Sequence, residues 1–147
     1  MPLPTDFTVA ICGAGMAGLG LALALHSHGI KCTIYEAADT LERGLRGSVQ
    51  LVPDGQTALN KYGVLEKLLE SSRVFPSGGR LMKSDGTLIN ELVMGDKEIF
   101  SYDTMRIVRG TLAVRLANAV KEREMEIICN KKYVRVVLED GLQIMAI

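Results

Sequence analysis

Residues 11–20 read ICGAGMAGLG. Glycine or alanine stands at 13, 14, 15, 17, 18 and 20, directly behind the apolar run Phe7, Val9, Ala10. A buried strand favours β-branched residues, and a stable helix avoids glycine. A segment that gives up so many side chains makes room for a second object or for another stretch of its own backbone. The flanking sequence gives the setting. FTVAIC (7–12) reads as a strand buried on both faces. A helix follows over about Met16–His28, apolar nearly all round, with Gly29 just past its end in the position of a left-handed cap. KCTIYE (31–36) makes a second strand. A strand–helix–strand unit of this length implies parallel strands and a right-handed crossover.

The glycines fall as Gly13-x-Gly15-x-x-Gly18, and Glu36 closes the second strand 18 residues after Gly18. Alone the pattern is weak, because glycine is common. With the strand before it, the helix after it, small Ala22 one turn on and the acid at 36, it is the dinucleotide-binding fingerprint. Each part has a physical task. Gly13 permits the tight turn out of the strand. Gly15 has no Cβ, so a pyrophosphate can approach the main chain. Gly18 lets helix and strand pack closely. The helix start at Met16, Ala17 and Gly18 offers N–H groups and a positive dipole end to phosphates. Glu36 accepts hydrogen bonds from ribose hydroxyls, and its charge disfavours a 2′-phosphate there. The alternative is a turn that merely packs well.

Bulk properties narrow the remaining classes. A chain of 147 residues is expected to form one domain with a real core. Lys+Arg (17) and Asp+Glu (17) cancel, so the chain lacks the field that nucleic acid or an anionic membrane requires. Phe7–His28 carries no charge and is long enough to raise the question of a membrane span. It has no basic leader, however, and it contains a strand, a glycine turn and a helix. The cytoplasm is therefore the expected location. Cys12, Cys32 and Cys129 lie in apolar, strand-like runs and are read as buried reduced thiols. No Cys/His spacing suits a metal.

Further along, SVQLV is a short strand before Pro53-Asp54-Gly55. Asp54 is placed to cap a helix over roughly 55–61, and another turn or two spans 64–71. GRLMK and TLINEL around Ser84-Asp85-Gly86 read as a hairpin. A loop with Gly95 and Asp96 leads to a short run from Met105 to Val108. RGTLAVRLANAVKE (109–122) is an amphipathic helix with Leu112, Leu116, Ala119 and Val120 on one face. MEIIC is expected as a third parallel strand, and a second hairpin flanks Asp140-Gly141.

Three blocks carry a family resemblance: GAGMAGLGLALALHSHGIKCTIYEA, RGSVQLVPDGQTALNKYGVL and VRGTLAVRL. Together they resemble the FAD-dependent aromatic-ring hydroxylases, the single-component flavoprotein monooxygenases that include salicylate- and hydroxybenzoate-hydroxylase-like enzymes. The resemblance implies an α/β, Rossmann-like FAD/NAD(P)-binding domain over 1–147, with parallel strands and a small antiparallel hairpin region inserted at about 75–104. It implies FAD as cofactor, NAD(P)H as reductant, O₂ as oxidant and a small aromatic or related organic substrate. By position, Glu36 would hold the adenosine ribose, Arg46 would lie near the flavin, and Arg109 would reach FAD from the start of its helix. A cation at a helix N-terminus opposes the macrodipole, and an anionic partner explains tolerating it. Family members are more than twice this long, and their later Asp-Gly and Gly-Asp motifs are not found here. The chain is thus expected to be an N-terminal portion, incomplete at its C-terminus. Another FAD-dependent oxidoreductase, or a non-catalytic nucleotide-binding fragment, stands as the alternative.

Overall fold

The computed structural model describes residues 7–41, 47–70, 73–75, 78–139 and 142–146. In chain order the elements begin β1 (Val9–Cys12), α1 (Met16–Ser27), β2 (Cys32–Tyr35), β3 (Ser48–Leu51) and α2 (Pro53–Lys61). There follow α3 (Leu65–Leu69), β4 (Arg73–Phe75), β5 (Gly78–Met82), β6 (Leu88–Val93) and α4 (Lys97–Phe100). The chain continues through β7 (Thr104–Val108), α5 (Arg109–Lys121), β8 (Glu126–Ile128), β9 (Arg135–Glu139) and β10 (Leu142–Ala146). Two compact units share them: Met1–Gly44 with Ala113–Ile147, and Leu45–Leu112.

The first unit is the α/β part. Its sheet has the order β1-β2-β8, with both pairings parallel and Ile11, Ile34 and Ile127 in register across it. Helix α1 packs on this sheet and buries Leu19, Ala22 and Leu23, while Ile34 is fully buried in β2. The helix ends as its sequence foretells. Gly29 takes φ +71, its N–H donates to the His26 carbonyl, and the Ile30 N–H donates to the Leu25 carbonyl. This crossed pair closes the last turn and needs a residue free to adopt the left-handed region. The sequence β9–β10 forms the expected antiparallel hairpin; its turn at Asp140-Gly141 lies outside the described residues.

Two expectations about this unit fail. Strand β1 is not buried on both faces: only Ile11 is buried, and Cys12 is exposed. Cys32 and Cys129 are only partly covered. Among the described residues β1 pairs with β2 alone, so it is an edge strand. An apolar run describes what a strand can bury, not which of its faces the fold covers. Partial burial still pushes the Cys32 thiol up, which keeps it protonated and a poor nucleophile at neutral pH.

The second unit is built differently. Strands β3, β7 and β4 form an antiparallel sheet with β7 in the centre, a pairing the sequence did not announce. Leu59, Val64, Leu65, Leu68, Met105 and Ile107 make its core. Helix α2 begins two residues earlier than expected, because Pro53 takes its first turn. Proline's fixed φ suits that position, where its missing N–H costs nothing. Asp54 therefore lies inside the first turn and caps nothing, although its charge still complements the helix dipole. Asp96, read as loop, caps the short helix α4 by accepting the N–H groups of Glu98 and Ile99. The β5–β6 hairpin forms around Asp85-Gly86 as expected, with Gly86 at φ +88 and Asp85 accepting the Thr87 N–H. Hydrogen bonds from Thr87, its side chain first and then its backbone N–H, hold the exposed Asp85 carboxyl below its ordinary range. Leu81, Leu88, Ile89 and Val93 on the hairpin are about half exposed or more.

One buried polar side chain joins elements of this unit. Gln56 on α2 is 2% exposed, and its amide N–H₂ group donates to the Leu51 carbonyl at 3.1 Å and to the Asp103 carbonyl at 2.5 Å. It thus ties the end of β3 to the residue before β7. Gln56→Leu is expected to lower unfolding stability by about 1–3 kcal/mol, since two carbonyls lose their donor. A denaturant midpoint unchanged from the parent would show that the amide ties nothing together.

Candidate functional site

The fingerprint turn connects the end of β1 to the start of α1, at the carboxyl edge of the parallel sheet. Gly13 leaves the strand at φ +102, a conformation that L side chains rarely adopt. Its N–H donates to the Tyr35 carbonyl at 2.7 Å and continues the ladder to β2. At Gly18 the space is taken by the chain itself: an added Cβ would collide with the Gly13 carbonyl oxygen and crowd the Ile11 side chain at 3.2 Å. That glycine serves the close approach of helix to turn.

Gly15 is different. It caps the N-terminus of α1 with φ −74 and ψ 176, values open to any residue, and an added Cβ would meet nothing within 4 Å. Neither conformation nor packing within the chain calls for glycine here. The space in front of Gly15 is open, and the main chain there can be approached closely. No side chain caps α1, and its first turn holds no acid. The N–H groups of Met16, Ala17 and Gly18 open the helix there, where four such groups lack intrahelical acceptors. That is a place for an anion.

Glu36 follows β2 at the same edge. Its Oε2 accepts the Ala14 N–H at 2.8 Å, and its Oε1 accepts the Ala38 N–H at 2.9 Å. Its own N–H donates to the Ile128 carbonyl, and its carbonyl accepts the Lys131 N–H, both at 2.9 Å. The folded chain thus brings Gly13, Gly15, Met16, Ala17, Gly18 and Glu36 to one edge of one unit. Ala14 and Ala38 join them through backbone groups that no residue type advertises. A carboxylate offers about four acceptor positions, so two backbone bonds and a ribose hydroxyl are compatible on it. An uncapped helix start, a side-chain-free approach at Gly15 and an acid beside them fit the diphosphate and ribose of a dinucleotide.

Arg46 lies outside the described residues. Arg109 belongs to the second unit, at the first position of α5; its side chain is exposed and its N–H donates to the Gly47 carbonyl at 3.1 Å. A separate cleft of about 500 Å³ lies at the opposite, amino edge of the first unit's sheet, lined by residues such as Thr8, Lys31, Cys32 and Glu126. None of the fingerprint residues lines it. Among the described residues no helix is long and apolar enough to cross a membrane.

Comparison with known proteins points the same way. The sequence profile of the FAD binding domain family matches residues 6–140. An FAD-dependent monooxygenase, ntnA, from Nectria sp is 30% identical over 119 residues, covering 80% of this chain and 16% of that protein. The 3-amino-4-hydroxybenzoate 2-monooxygenase of Streptomyces cremeus is 29% identical over 92 residues, 63% of this chain and 23% of that enzyme. The tetrameric form of 2-methyl-3-hydroxypyridine-5-carboxylic acid oxygenase shares the fold, with a TM-score of 0.71 at 21% identity, over 97% of this chain and 38% of that one. The chain spans less than a quarter of the length of these two curated relatives.

The two glycines of the turn should respond oppositely to one added methyl group. Gly18→Ala is expected to cost about 1–3 kcal/mol of stability, because the methyl meets backbone. Gly15→Ala should leave the unfolding midpoint within about 0.5 kcal/mol of the parent yet weaken FAD binding, measured by flavin fluorescence. Equal stability losses at both positions would refute the assignment of open space to Gly15.

Proposed function

Because this chain belongs to the FAD binding domain family, we propose that its fingerprint unit holds the adenine-dinucleotide end of FAD in an NAD(P)H- and O₂-dependent monooxygenase acting on a small aromatic molecule. The observation that carries the reading is the open approach to Gly15 at an uncapped helix start, with Glu36 on the adjoining strand end. In this reading the N–H groups of Met16, Ala17 and Gly18 hold the diphosphate, and Gly13 and Gly15 let it reach the main chain. Glu36 accepts a hydrogen bond from the adenosine ribose. Its negative charge selects against a 2′-phosphate at this position.

When bound, FAD would supply the redox chemistry, with NAD(P)H as the two-electron donor and O₂ giving one oxygen atom to the substrate and the other to water. The chain's own residues bind and orient. Arg109, exposed at the start of α5, is positioned on the helix end where a cation is least welcome, and an anionic partner offsets that cost. Arg46 is assigned to the flavin side of the cofactor on the strength of the sequence resemblance. A small aromatic substrate is supported by the name of the Streptomyces cremeus relative, an aminohydroxybenzoate monooxygenase.

FAD titrated into the protein is expected to bind saturably, with its fluorescence quenched. Arg109→Ala should weaken that binding by about 1.5–3 kcal/mol, the worth of a hydrogen bond to a charged group. An unchanged dissociation constant removes Arg109 from the site. A protein that ignores FAD overturns the reading as a whole. Phenol-stimulated NAD(P)H consumption by the whole protein tests the reaction class.

A further inference from the structure

We propose that Glu36 is a positioning residue in addition to a ribose contact: its carboxylate fixes the glycine turn in its nucleotide-accepting shape before any nucleotide arrives. The ribose contact rests on the reading above. The positioning role stands on the chain's own hydrogen bonds.

A Gly-Ala-Gly turn is costly to order, since glycine loses more conformational freedom than any other residue. Two successive N–H groups anchor this one. Gly13 is held by the backbone carbonyl of Tyr35, and Ala14 by the side chain of the next residue, Glu36. The second bond is charge-assisted and so of the stronger kind. It is also braced from behind. The other carboxylate oxygen accepts the Ala38 N–H, and the Glu36 main chain is bonded on both sides, to Ile128 and to Lys131. One residue thereby links the exits of β1, β2 and β8. Ala14 lies between the left-handed Gly13 and the open Gly15, so the bond acts where the turn would otherwise be least restrained. Pre-ordering a binding loop removes a cost that the ligand would otherwise bear.

A ribose contact and a positioning bond make different demands on the ligand. If Glu36 acts only on ribose hydroxyls, its loss leaves a ligand without them unaffected. If it holds the turn, that ligand suffers too. The test uses the 147-residue chain, its Glu36→Gln variant, and two probes, ADP and 2′,3′-dideoxy-ADP. In the ligand-free parent, the Ala14 amide is expected to exchange with deuterium at least about tenfold more slowly than that of Ala17, whose N–H lies in the uncapped first turn. Glu36→Gln should accelerate Ala14 about tenfold, leave Ile34 unchanged, and weaken dideoxy-ADP about tenfold. Ala14 exchanging as fast as Ala17 in the parent overturns the proposal, and so does a variant that loses ADP while binding dideoxy-ADP like the parent. If Glu36→Gln does not fold, the comparison of Ala14 with Ala17 in the parent decides alone. If neither probe binds the parent, the diphosphate reading fails while amide exchange still decides the turn.

Discussion

A carboxylate between two backbone N–H groups is the constraint on which the fingerprint edge of the sheet depends. Glu36 reaches from the end of β2 to Ala14 in the turn after β1, and to Ala38 in its own exit segment. Without it, the turn of two glycines and an alanine would be held at its two ends, by the Gly13 N–H on Tyr35 and by the Gly15 carbonyl that accepts the Leu19 N–H, with Ala14 between them unanchored by Glu36. Strand ends in a parallel sheet are where ladder bonding stops and backbone groups need new partners. A side chain with several acceptor positions, placed at the central strand's exit, meets that need for two segments at once.

The glycines share the work unequally, and their roles differ in kind. Gly13 is required by its torsion angle, and Gly18 by the backbone atoms that a methyl would strike. Both requirements are internal to the fold. Gly15 has neither. Its smallness leaves the main chain at the helix start open to approach. A residue whose smallness serves packing is evidence about the fold. The motif's glycines thus differ in what they serve, which only shows once the space around each is known.

The second unit shows where reading from sequence loses hold. Its hairpin was legible because Asp85-Gly86 specifies a turn through local chemistry: an Asp accepting an N–H two residues on, and a glycine at positive φ. The sheet β3-β7-β4 was not, because β7 pairs with strands about thirty to sixty residues before it, and no residue type records its partner. The same gap hid the strand at Arg73–Phe75 and the burial of Gln56, whose role appears only when β3 and the approach to β7 lie within reach of one amide. The helix start misplaced at Asp54 was a local error of weight: proline's preset torsion outranked a capping side chain.

What the sequence determined by itself was the strand–turn–helix–strand of the fingerprint, its cap at Gly29, the third parallel strand and the acid facing the turn. The glycines are specified by a torsion or a close contact, and the third strand and the acid by the strand–helix–strand setting that they complete. The tertiary structure decided that β1 pairs only with β2 among the described residues, and that Cys12 is exposed. It also decided that Glu36 spends both oxygens on Ala14 and Ala38, and that Gly15 faces open space. The physical reason is common to all three. Backbone N–H groups and empty volume are the same for nearly every residue, so their use is fixed by which distant segments the fold brings together.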